Sequence, residues 1–197
     1  CLAMHGDSNI GKTLIVSKLR REHPCTFDDL KGVERRQIIA MQMPATPDQH
    51  RFYAALLMAL NAPVSFNVPG ARLEGHALAL LRAVEARVLV IDELHNMLAG
   101  THARRAEFLN TLRFLGNELR LLIVGLGTKQ AQIAVRSDDQ LENRFEPVPL
   151  PAWQDDLEFA RLLTSFESAL PLRDPSGLGA SPELRSLILR RSTGLIG

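Results

Sequence analysis

Apolar residues recur along this chain in two rhythms. Short unbroken runs bounded by loop residues read as strands buried on both faces, and longer stretches with apolar residues three and four apart read as helices with one inward face. Runs of the first kind fall at residues 2–5, 36–43, 88–91, 121–124 and 148–150. The second rhythm fills residues 13–21, 46–60, 72–86, 102–119 and 128–136. At 46–60, Thr46 reads as the cap, Pro47 as the first helical residue and Gln49 as the residue three past the cap. Phe52, Leu56, Ala59 and Leu60 then share one face until Asn61-Ala62-Pro63 stops the helix. Leu73, Ala77, Leu80, Leu81 and Val84 give the next helix its inner face; Phe108, Leu109, Leu112, Leu115 and Leu119 do so for the helix opening at His102. Residues 23–33 and 64–70 read as irregular, 94–101 as a loop or helical turn, and 138–143 as a short helix. Helices alternating with buried strands predict an α/β fold whose five-stranded parallel sheet lies between helices.

After Pro151 the pattern is helical only. Asp155 is placed to cap a helix over 156–169, and Ser181-Pro182-Glu183 to open another that runs through Ser192. The expected division is an α/β core over residues 1–151 and the start of a small helical lid over 152–197.

The 197 residues suit one such domain with a small appendage, and 46% hydrophobic residues are ample for its core. Aromatic residues make up only 5%, which argues against a stacking platform for single-stranded nucleic acid. A net charge of +1 supplies no global field toward a polyanion, so any nucleic-acid surface has to be a local patch. Cys1 and Cys25 have no metal-ligand spacing and suggest no disulfide framework, which points to a reducing cytoplasmic setting. No apolar stretch reaches the length of a membrane span and no signal-peptide pattern is present, so no membrane partner is expected. Opening on Cys1 and ending in STGLIG, the chain is expected to be a core piece of a longer protein.

The chemistry concentrates in residues 6–13, GDSNIGKT, which match G-x-x-x-x-G-K-[ST] at every fixed position. Gly6 and Gly11 let the backbone curl so that successive N–H groups point at phosphate oxygens. Lys12 would bring a point charge to the β- and γ-phosphates, and the Thr13 hydroxyl can ligate magnesium. The helix that follows offers its N-terminal dipole to the same anion. Asp7, Ser8, Asn9, Ile10 and Leu14 complete the expected nucleotide-binding stretch. Taken alone, the same residues also fit an ordinary strand–turn–helix corner.

A partner motif removes much of that ambiguity. VLVIDE runs four apolar residues into Asp92 and Glu93. At the tip of a buried strand, Asp92 would hold magnesium through its water shell, and Glu93 would act as the base or orienting group for an attacking water. That second acid points to hydrolysis. Guanine selectivity would show as [NT]-K-x-D after a late strand; Thr128-Lys129-Gln130-Ala131 has alanine in the aspartate's place, so ATP is the expected nucleotide. Thr128, closing LLIVGLGT, is placed to sense the γ-phosphate or hold the water, or else to cap a helix. Arg144, just before the last strand, is placed to reach a neighbouring subunit's phosphate, or else to form a surface ion pair.

Together, GDSNIGKT, VLVIDELHNMLAG, FLNTLRFLGNELR, LLIVGLGT, QLENRFEPVPLPAW, LLTSFESALPLR and STGLIG resemble the AAA+ transposition ATPases of the TniB type, relatives of TnsC. The resemblance covers essentially the whole chain. It implies a P-loop NTPase of the AAA+, ASCE type with a partial lid subdomain, using ATP and Mg2+. It implies that Gly6, Gly11, Lys12 and Thr13 are Walker A, Asp92 and Glu93 Walker B, Thr128 sensor 1 and Arg144 the arginine finger. It also implies a homo-oligomer, ring or filament, that assembles on duplex DNA and guides a DDE transposase. A lid arginine in a Gly-x-x-Arg setting is not found in Gly194-Leu195-Ile196-Gly197; Arg190 and Arg191 precede the glycine and are not assigned to that role.

For DNA, His102, Arg104 and Arg105 form one expected patch, and Lys31 with Arg35 and Arg36 a second. Without a helix-turn-helix or zinc signature, binding is expected to read backbone and shape rather than bases. Two other classes fit the same nucleotide motifs. One is a STAND-type signalling switch, marked by tight ADP retention without a DNA effect; the other is a helicase-loader-like ATPase that remodels another ATPase.

Overall fold

The computed structural model describes residues 1–30, 32–65, 67–136, 144–171, 173–174 and 176–195. Lys31, the expected helix over 138–143 and the last two residues lie outside them. In chain order the elements are β1 (Leu2–His5), α1 (Lys12–Glu22), β2 (Thr26–Asp28), β3 (Val33–Arg35), β4 (Ile38–Gln42), α2 (Gln49–Ala59) and α3 (Gly70–Ala83). Then follow β5 (Val88–Asp92), a 3-10 helix (Leu94–Ala99), α4 (His102–Glu118), β6 (Leu122–Gly127), α5 (Lys129–Arg136), β7 (Glu146–Pro149), α6 (Leu157–Ala169) and α7 (Pro182–Ser192). These divide into two compact units, Cys1–His5 with Lys12–Pro149, and Gly6–Gly11 with Leu150–Gly197. Among the described residues no helix is long and apolar enough to cross a membrane.

The first unit is built on a five-stranded sheet in the order β4-β5-β6-β1-β7, and every neighbouring pair is parallel. His5 lies beside Gly127 and Gln42 beside Asp92, so the C-terminal tips of β1, β4, β5 and β6 share one edge. The two faces are covered unequally. On one, Ile39, Leu89, Ile91 and Ile123 meet the inward stripes of α2, α3 and α4 in the larger core cluster. Phe52 of α2 meets Phe108 of α4 edge-on, ring centroids 5.1 Å apart, which locks the two helices together. On the other face Ile38, Val90 and Leu126 are covered by Val16 and Leu19 of α1. Each fully buried aliphatic such as Leu89 contributes about 1.5–3 kcal/mol from burial alone.

Several local expectations need correction. Residues 23–33 are not simply a loop: β2 and β3 pair antiparallel there, and Arg35 holds Asp28 at 2.8 Å. Strands this short offer too few positions for a period-two signal. Asp48, not Thr46, caps α2; its carboxylate accepts the Arg51 N–H at 2.8 Å. A carboxylate is the better acceptor at the positive end of a helix, which leaves Pro47 outside it. α3 begins at Gly70, directly after Pro69, and ends at Ala83, so Val84 is its cap rather than a helical residue. β6 runs to Gly127, beyond the expected end at Val124, and Gly125 and Gly127 make room for neighbours. A Cβ on Gly125 would collide with Leu94, and one on Gly127 would lie 2.6 Å from the Ala131 Cβ. β7 starts at Glu146 and tolerates Pro147 and Pro149 as an edge strand.

In the second unit, Asp156 rather than Asp155 caps α6, accepting the Phe159 N–H at 2.9 Å. Asp155 instead pairs with Arg185 of α7 at 2.8 Å, a choice made by the partner helix and not by local sequence. Ser181 caps α7 as expected, accepting from Leu184 N. Gly179 approaches α6 so closely that any Cβ would strike Thr164. Gly194, at φ 76°, closes α7 and accepts the Trp153 N–H at 3.0 Å through its carbonyl oxygen.

Candidate active site

β1 leads into the loop Gly6–Gly11, and Lys12 opens α1. The loop turns through two left-handed residues, Asn9 at φ 63° and Gly11 at φ 100°. Such alternation turns successive N–H groups toward one side and makes an anion-binding concavity. Gly11 is therefore needed for its backbone angle, as expected. Gly6 is needed for a different reason: a Cβ there would lie 2.9 Å from the Leu150 carbonyl oxygen and 3.1 Å from Ile10 Cγ2. Ile10 is buried and anchors the loop, while Asp7, Ser8 and Asn9 are exposed. Lys12 is buried and Leu14 is exposed on α1.

Within the first unit a cavity of about 340 Å3 opens at the C-terminal edge of the sheet; Thr13, Arg20, Gln42, Asp92 and Glu93 are among its lining residues. This is where ligands sit in open parallel sheets. The Asp92 carboxylate accepts the Glu93 N–H at 2.8 Å, and its carbonyl accepts the Met43 N–H at the same distance, so strand and side chain are both fixed. Thr13 and Asp92, whose side chains carry hard oxygen donors, both line this cavity. Among the described residues no group of three or more His, Cys, Asp or Glu side chains is placed to hold a metal. The donor set thus fits a magnesium ion that keeps most of its shell from phosphate and water.

Glu93 is itself left-handed, at φ 55° and ψ 38°, where a non-glycine residue stores strain. Its carboxylate is held by His95 Nε2 at 3.1 Å. Thr128 follows β6 and opens the turn into α5. Its carbonyl accepts the Ala131 N–H at 2.8 Å, but its Oγ1 is buried with no hydrogen-bond partner among the described residues. The hydroxyl is thus not spent on capping, and an unpaired buried hydroxyl at the sheet edge is what a phosphate oxygen or water would satisfy.

Arg144 is exposed and donates to Asn117 Oδ1 at 3.1 Å. β7 pairs with β1 from Leu2 beside Glu146 to His5 beside Pro149. Arg144 therefore enters at the edge away from Asp92, a strand length or roughly 13 Å off. Of the expected DNA patches, Arg105 spends its guanidinium on the carbonyls of Gly100 and Leu98. Arg35 is paired with Asp28 and Glu85, and Arg36 with Glu34 and the Ala59 carbonyl. His102 and Arg104 are exposed at the start of α4. Residues that sequence reasoning missed are Gln42 and Arg20 in the cavity and His95 beside Glu93. Gln42 was legible as the polar tip of the strand before Pro44; His95 had only its place two residues after Glu93.

The family model described as bacterial TniB protein matches residues 1–155. The chain belongs to the TniB family. Among curated proteins none matches the sequence. This TniB family member is similar to the Aeropyrum pernix ORC1 protein solved in complex with DNA, at 15% identity and TM-score 0.55, over 98% of this chain and 53% of that one. It is similar to the Aeropyrum pernix ORC2 protein in its ADP form, at 16% identity and TM-score 0.60, over 85% of this chain and 46% of that one. Cdc6p from Pyrobaculum aerophilum is similar at 14% identity and TM-score 0.59, over 85% of this chain and 43% of that one. At these identities the likeness is one of fold, the AAA+ form of the P-loop NTPase. The TniB chain spans about half the length of the solved structures it matches.

Proposed function

We propose that this chain is the ATP-hydrolysing module of a regulator of DNA transposition. It assembles in the cytoplasm as a homo-oligomer, ring or filament, on duplex target DNA and recruits or activates a DDE transposase. The observation that carries the hydrolytic part is the convergence of Thr13, Asp92 and Glu93 on one cavity at the sheet edge. The Lys12 ammonium and the N–H groups of Gly6–Gly11 receive the β- and γ-phosphates. The Thr13 hydroxyl would ligate a magnesium ion and Asp92 would hold it through its water shell; bound there, the ion would supply positive charge against the phosphates. Glu93 orients a water and takes its proton as the oxygen attacks the γ-phosphorus; the bond to the β-phosphate oxygen breaks, leaving ADP and phosphate. The Thr128 hydroxyl donates to the γ-phosphate or to that water. The ADP form of the similar ORC2 structure and the DNA complex of ORC1 support nucleotide and DNA as ligands here. The transposition role rests on the family.

Nucleotide affinity and turnover of two variants test this. Lys12→Ala should lose ATP binding, whereas Glu93→Gln should bind ATP at near-parental affinity and stall hydrolysis. Parental turnover in Glu93→Gln would remove Glu93 from the catalytic role.

A further inference from the structure

The glutamate that faces the cavity is held from behind. Glu93 lines the cavity with Thr13 and Asp92, and His95 is not among the described lining residues. Yet His95 Nε2 stands 3.1 Å from Glu93 Oε2. In both its neutral Nε2–H form and its protonated form the ring donates at that atom, so one carboxylate oxygen is taken and the other stays available to the cavity.

The ring itself has little room to move. Its side chain is 20% exposed, and Nδ1 is buried without a partner among the described residues. Gly127 leaves the space beside it: a Cβ on Gly127 would come within 3.5 Å of His95 Nδ1. Leu94, the residue before it, is buried against Gly125. Asn96, the residue after it, donates from its side chain to the Met43 carbonyl at 3.3 Å and from its backbone to the Glu93 carbonyl at 2.9 Å. The 3-10 helix is therefore pinned on both sides of His95, while Glu93 sits on a strained backbone with its carboxylate 38% exposed.

We propose that His95 is the positioning residue for Glu93, gripping Oε2 so that the remaining oxygen is aimed at the attacking water. Left-handed backbone at Glu93 and the 3-10 turn after it serve this pairing, because they fold the residue two places on back against the carboxylate. The inference rests on the hydrolytic reading above. Its cost to the fold, an unpaired ring nitrogen, is of the kind retained where geometry serves chemistry.

The test compares His95→Ala and His95→Gln with the parent in steady-state ATP turnover with duplex DNA present, alongside binding of a fluorescent ATP analogue and thermal melting. Outer partners that orient a reacting or ligating group typically carry 10–100-fold effects. His95→Ala should lower kcat by about that factor with KM and analogue affinity within roughly twofold, and His95→Gln, which keeps an N–H donor, should recover most of the loss. Parental kcat in His95→Ala overturns the proposal and leaves the hydrolytic reading intact. Equal loss in both variants, or loss of analogue binding or of the folded transition, makes His95 structural and overturns it too. A parent that binds the analogue but shows no turnover overturns both readings together.

Discussion

Single residues of this chain show their environment most clearly where a polar atom is buried without company. His5 is such a case. It ends β1, is 7% exposed, and its Nε2 has no hydrogen-bond partner among the described residues. Burial first, and the Arg136 cation second, hold its pKa below the ordinary histidine value. The sign of the consequence follows from linkage: below the unfolded pKa of about 6.5 the unfolded chain takes up a proton that the folded chain resists, so stability falls as the pH drops. Above that value neither state is charged and the penalty is absent. The fall in melting temperature between pH 7.5 and pH 5.5 should therefore be smaller in His5→Gln than in the parent. Identical falls would show that His5 is not a source of acid sensitivity.

At the level of elements, the start of α4 separates two neighbouring arginines by what they already bind. Thr101 caps the helix by accepting the Arg104 N–H at 3.4 Å. The Arg105 guanidinium ties the end of the 3-10 helix to α4 through the Leu98 and Gly100 carbonyls. Arg104 has an exposed side chain with no such duty among the described residues. Arg105→Ala should cost about 1–3 kcal/mol in chemical denaturation, since it strands two part-buried acceptors. Arg104→Ala should change stability by less than about 0.5 kcal/mol, yet weaken binding to all duplexes alike and reduce the log–log salt slope by about one. A salt slope unchanged in Arg104→Ala would remove this helix end from the DNA surface.

For the molecule as a whole, the parallel sheet places Arg144 at the edge opposite the cavity. An arginine side chain cannot cross a strand's length, so any role for it in phosphoryl transfer has to be served in a neighbouring subunit. An arginine acting in trans is worth roughly 10³–10⁵ in rate where it has been measured. Arg144→Ala should retain ATP binding through its own Lys12 and lose DNA-dependent turnover. Mixing it with Lys12→Ala, each inactive alone, should restore part of the activity, because some interfaces then pair an intact loop with an intact arginine. Stable mixed oligomers that stay inactive at every ratio would confine Arg144 to its hydrogen bond with Asn117.

The class of fold and the residue types of the loop were legible in the chain alone. Strands buried on both faces must be continuous apolar runs, and phosphate binding needs particular residue types at fixed spacing, so both are written in one dimension. The AAA+ reading came from the family resemblance that the quoted motifs carry. Other features depend on who stands opposite in space. Asp48 and Asp156 win their caps over Thr46 and Asp155 because of where the chain turns and, for Asp155, because Arg185 arrives from another helix. Gly6 is glycine because Leu150, 144 residues further along the chain, passes close by. Arg105 and Arg36 look as free as any arginine until carbonyls from other elements claim them. His95 becomes a partner of Glu93 only when a left-handed residue folds the strand end back on itself. Periodicity reports which face of an element is buried, whereas tertiary packing decides which polar group meets which.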